Sequence, residues 1–160
     1  MTKKFTTLDL LNVAAWYKQM REKEEKPLND LPLKVQWNLK KIISSFSSMI
    51  ENFTQLQQEA EAKIRNEFAN DEKSYEDVSE EGEPIRKIKD EFLEDFQQKS
   101  MEFNSKLNEI LMETNEISFE PISIEDLIDK LPEDTKLGLE DMEMIGLFNS
   151  EPIEIVKSEE

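Results

Sequence analysis

Two carboxylate clusters, Glu125, Asp126 and Asp129, then Glu140, Asp141 and Glu143, are the residues here whose type and spacing come nearest to a reactive centre. Oxygen ligands of this kind suit a hard divalent cation. Neither cluster has the alternating acids and central glycine of a calcium loop, however, and acids in a helix's first turn are already favoured by the helix dipole. They read better as surface carboxylates and, with Trp16 and Trp37, as candidate contacts for a partner, since large aromatics give rigid apolar area at low entropic cost. The competing reading of the tryptophans is packing, with the first helix folded back on the start of the second and the two indoles closing that corner.

Other chemistry is excluded by what the chain lacks. With no histidine and no cysteine, the usual zinc sites and Cys-His nucleophilic catalysis cannot be built, and acid-base catalysis would fall to carboxylates, lysine or tyrosine. Gly82, Gly138 and Gly146 are the only glycines and stand far apart, so no glycine-rich loop can cradle a phosphate. The serine group Ser44, Ser45, Ser47 and Ser48 has no base beside it and reads as a polar helix face. No catalytic residue, cofactor or metal is expected, and the chain reads as a binding protein rather than an enzyme.

Charge narrows the partners. The 160 residues carry 37 acidic and 20 basic side chains, a formal charge of −17, which works against direct binding to nucleic acid or to anionic membranes. Basic residues gather early, at Lys3, Lys4, Lys18, Arg21, Lys34, Lys40 and Lys41. Such a patch could dock on an acidic partner or on the acidic tail of another copy; the plainer reading is solvated lysines on helix surfaces. No apolar run approaches the roughly 18 residues that span a bilayer, and absence of cysteine is compatible with a reducing compartment, so the cytoplasm is the expected location.

The elements that position these residues follow from periodicity. Val35, Leu39, Ile42, Phe46, Met49, Phe53, Leu56 and Ala60 alternate four and three apart, the heptad seam of a long helix. The expectation is a mainly α protein, one domain over 1–150 followed by an acidic tail at 151–160. Helices are expected at about 7–24, 32–70, 85–115, 123–131 and 139–147. Thr6 with Asp9, and Ser123 with Asp126, are capping-box-like starts, and Leu8, Leu11, Ala15 and Met20 are read as the inner face of the first helix. The stretch 71–84, with seven acids, a glycine and a proline, reads as a loop. Together these make a long antiparallel helical hairpin with an N-terminal helix, and near the C-terminus a small extended segment starting at Ile117 plus two short helices. Phe46, Met49 and Phe53 are expected to face Phe92, Phe96, Met101 and Phe103. Ile43, Ile50, Ile64 and Leu93 widen the stripes, and would stay partly wet unless the short helices or a second subunit cover them, which makes a homo-oligomer an expectation.

The order of segments is similar to a family of short phage and prophage proteins known mainly by a domain-of-unknown-function label. The segments are LDLLN, a long helix entered through PLKVQWNLKK, an acidic break, a second helix, then ISFEPISIEDLIDKLP and LGLEDMEMIGLF. The echoes lie in residues 8–43 and 116–148. The resemblance implies a phage-encoded accessory protein or virion component in the host cytoplasm and transfers no catalytic residue. Its role is expected to be contact with a host or phage protein. The alternative is an acidic inhibitor of a host defence or nucleic-acid-binding protein, its carboxylates standing in for phosphates.

Overall fold

The structure, a computed structural model, describes residues 1–149; the tail expected at 151–160 lies outside them. In chain order the elements are β1 (Thr2–Thr6), α1 (Thr7–Glu22), a 3-10 turn (Pro27–Asp30), α2 (Leu33–Phe68), β2 (Ser74–Val78), β3 (Pro84–Ile88), α3 (Asp90–Met112), β4 (Thr114–Ser118), α4 (Ile124–Ile128) and α5 (Leu139–Gly146). The protein is mainly helical, as the sequence predicts. It gathers into two compact units, one made of Met1–Ile50 and the chain from Thr114 onward, the other of Glu51–Glu113, with α2 contributing residues to both.

In the first unit β1 and β4 form an antiparallel ladder, Thr2 opposite Ser118 and Thr6 opposite Thr114. β1 was not anticipated, because its alternation is short and its residues 3 and 4 are both lysine. β4 begins three residues before the extended segment expected at Ile117. Thr6 then caps α1 as expected: its hydroxyl accepts from the Asp9 amide at 3.1 Å while Asp9 accepts from the Thr6 amide at 2.8 Å, satisfying two donors that the helix leaves unpaired.

The inner face of α1 is Leu10, Val13, Trp16 and Met20, all buried, while Leu8 is 41% exposed. The stripe drawn through Leu8, Leu11 and Ala15 is therefore corrected. Apolar residues surround this helix, so its own periodicity admits two stripes, and the strand that leads into it chooses between them. The core completes itself with Leu39, Ile42 and Phe46 from α2 and with Ile117, Ile122, Leu127 and Ile145. Phe5, Phe119 and Phe148 meet there with ring centroids 5.3–6.3 Å apart, favourable aromatic spacings. Ile43 and Ile50 pack half-buried against this cluster.

In the second unit the end of α2 meets α3 through a few side chains. Phe68 meets Phe96 edge-on at 5.3 Å, and Lys99 reaches back to Glu67. The partner of Phe96 is thus Phe68; Phe46 belongs to the first unit's core, and Met101 is 72% exposed. The expected loop at 71–84 is instead half of a β-hairpin, β2 pairing with β3 from Ser74 opposite Ile88 to Val78 opposite Pro84. The expected helix start at 85 moves accordingly to Asp90. Ile85 and Ile88, read as one helical turn, are strand residues. Of the seven acids that suggested a loop, Glu76 and Asp77 lie on β2 and the other five stand outside the strands. Asp77 takes the Lys87 ammonium at 2.5 Å. Gly82, at φ +83°, supplies the left-handed residue that closes the turn.

Candidate protein-docking groove

A groove of about 490 Å³ opens in the first unit between the end of α1, the 3-10 turn and the first turns of α2. Its construction follows from helical spacing. On α2 the seam residues Val35, Leu39 and Ile42 turn inward. Leu33, Trp37 and Lys40, at intervals of four and three, share a different face. Leu33 is 82% and Trp37 60% exposed. On α1, Tyr17 and Arg21 are one turn apart and line the opposite wall. Leu28 and Leu31, from the turn between the helices, form part of the apolar floor. The corner itself is set by Lys26, the one described non-glycine residue with positive φ, at +48°, followed by Pro27, buried at the head of the 3-10 turn.

Most of the early cations are already engaged. Lys3 donates to the carbonyls of Leu147 and Asn149; Lys4, Lys18 and Lys34 pair with Glu116, Glu22 and Glu120. The Lys34 ammonium, 3.0 Å from Glu120, holds that carboxyl below its usual range. Arg21 and Lys40 form no ion pair among the described residues, and both line the groove. Lys41 also forms no ion pair among the described residues but lies outside the groove, so the basic patch seen along the sequence leaves three unengaged cations, two of them beside an exposed tryptophan.

The other sequence-derived contacts divide. Trp16 is buried, and its indole N–H donates to Asp141 Oδ1 at 2.8 Å; Asp141 Oδ2 accepts from the Gly138 amide at 2.8 Å. Both residues are structural: Asp141 caps α5 and anchors it to α1. The two tryptophans therefore do not close one corner together. Glu125, Asp126, Asp129, Glu140 and Glu143 are exposed, and no group of three or more acids among the described residues is arranged to hold a metal ion. Sequence reasoning marked Tyr17 with the two tryptophans and Arg21 with the basic patch, and missed only that these two line one wall and that Leu33 joins them. The offset of Trp37 from the heptad seam was the available signal, because a tryptophan two residues from two seam positions cannot face the same way as they do.

A second groove, of about 630 Å³, lies in the second unit among Ile64, Phe68, Ile88, Phe96 and Phe103, with Arg65 and Arg86 beside them. Arg86 is committed to Ser74 and Asp71. Among the described residues no helix is long and apolar enough to cross a membrane. Comparison with family models, with curated proteins and with solved structures finds no match to this chain.

Proposed function

We propose that this protein works by binding another protein, without catalysis, and that the α1–α2 groove is the docking surface. The observation that carries the reading is the exposed Trp37 beside Leu33, flanked by the unpaired Arg21 and Lys40. An exposed indole in a concave apolar setting with cations at its rim is the composition of an interface hot spot, and its natural occupant is an acidic segment with an apolar anchor. The proposal extends to the phage accessory setting that residues 8–43 and 116–148 suggest, with a host or phage protein, or the chain itself, as partner.

Capture from a bacterial lysate, after nuclease treatment, tests this when the wild type is compared with Trp37→Ala. The variant should lose a stoichiometric partner while its thermal midpoint stays unchanged, because Trp37 contributes little to the core. Equal capture by both would overturn the groove as the docking surface.

A second reading, an acidic inhibitor that occupies a nucleic-acid-binding cleft, draws support from the exposed Glu125, Asp126, Asp129, Glu140 and Glu143 and from the net charge. For that reading, reversing these five charges should abolish inhibition of a target while Trp37→Ala leaves it intact.

A further inference from the structure

We propose that the groove of the first unit receives the acidic tip of the β2–β3 hairpin of a second copy of this chain. The inference rests on the groove as a docking surface and names its occupant. The tip has the chemistry the groove calls for. Val78, 63% exposed, leads into the turn, and Glu80, Glu81 and Glu83 crowd around Gly82. None of these three carboxylates forms an ion pair among the described residues, while nearby Asp77 and Asp71 are spent on Lys87 and Arg86.

The turn is also built in advance. The Ser79 amide donates to the Glu83 carbonyl at 2.8 Å, the Gly82 amide to the Ser79 carbonyl at 2.9 Å, and the Glu83 amide to Ser79 Oγ at 3.0 Å. These bonds use backbone and hydroxyl groups only, so the carboxylates stay available and docking costs little additional ordering. Val78 would lie on the apolar floor, and the glutamates would face Arg21 and Lys40.

Each copy carries one groove and one tip, so the same contact closes a two-fold pair when it is reciprocal and builds a ring or chain when it runs head to tail. Exposed charge drives it, and it weakens as salt shortens the screening length, about 8 Å at physiological ionic strength.

The test is sedimentation velocity of the full chain over a concentration series at low and high salt. The wild type should associate with rising concentration and dissociate as salt is added. Arg21→Glu with Lys40→Glu, and separately Glu80→Lys with Glu81→Lys, should each weaken association about 10-fold or more, since like charges placed across an interface are strongly unfavourable. Mixing the two charge-reversed proteins should restore association between them, with unchanged circular dichroism showing that both are folded. A monomer at every concentration, association indifferent to either variant, or no restoration on mixing would overturn the inference. In those cases a Trp37-dependent partner captured from lysate would leave the docking groove standing without this occupant.

Discussion

At the scale of single residues, two tryptophans of identical chemistry have opposite fates. Trp16 lies three residues after Val13 on the inward face of α1, and its N–H meets the buried carboxylate of Asp141. Trp37 lies on the outward face of α2 and meets solvent. Trp16→Phe retains most of the apolar contact but leaves Asp141 Oδ1 buried without its donor. That should cost about 1–3 kcal/mol, read as a lower urea midpoint at unchanged slope. Midpoints that coincide would mean that water replaces the indole N–H. The sequence marked both tryptophans and Asp141 as notable and could not distinguish the structural residues from the exposed one, since a side chain's partner 125 positions away is not a local property.

Among elements, the contact between the end of α2 and α3 is made by few groups. Glu67 takes the ammoniums of Lys99 and Lys73, and these same cations lie near the Phe68 ring, Lys73 at 4.8 Å and Lys99 at 5.5 Å from its centroid. The Lys99 hydrogen bond holds the Glu67 carboxyl below its usual range, and Glu67 holds the Lys99 ammonium above its own. A lowered carboxyl pKa means that the stabilisation is present above the ordinary glutamate value and is lost as pH falls through the lowered one. The raised lysine contributes below its ordinary value and loses that contribution only as pH rises through the raised one. Glu67→Gln should therefore melt below the wild type near neutrality by a small, salt-sensitive margin. That margin should close in acid, as thermal scans monitored by circular dichroism would reveal; a margin constant through the acid range contradicts the linkage. The helices themselves were legible from their heptad spacing. The β2–β3 hairpin was not, because its strands are only five residues each and five of the seven acids at 71–84 do lie outside them, so the composition reads as a loop throughout.

For the molecule as a whole, the two units differ in how completely they bury themselves. The first has a core of sixteen buried apolar residues drawn from segments at both ends of the chain. In the second, α3 presents an apolar stripe of which no residue is fully buried, and Leu93 and Met101 are exposed. Local opening free energy follows burial and contact density. Amides of α3 should therefore exchange with deuterium well before those of α1, a difference that native-state exchange would resolve by peptide. Equal protection would mean that α3 is covered by a partner in solution, which a concentration series would expose. The early basic patch belongs to this scale as well. Seven cations counted along the chain become three with no ion-pair or carbonyl partner among the described residues, Arg21, Lys40 and Lys41, in part because folding brings carboxylates from distant positions to Lys4 and Lys34.

The sequence by itself determined the mainly helical class, the long α2, the caps at Thr6 and Ser123 and the absence of histidine and cysteine chemistry. Each of these depends on residue type or on spacings of a few positions, which the local backbone enforces. Only the tertiary structure decided which face of α1 turns inward, that the N-terminal residues pair as a strand with Thr114–Ser118, that Asp141 is a buried cap, and that Tyr17 and Arg21 stand across from Trp37 and Lys40. Those outcomes depend on contacts between segments far apart in the chain, where several locally equivalent arrangements compete and the shared burial of a core selects one.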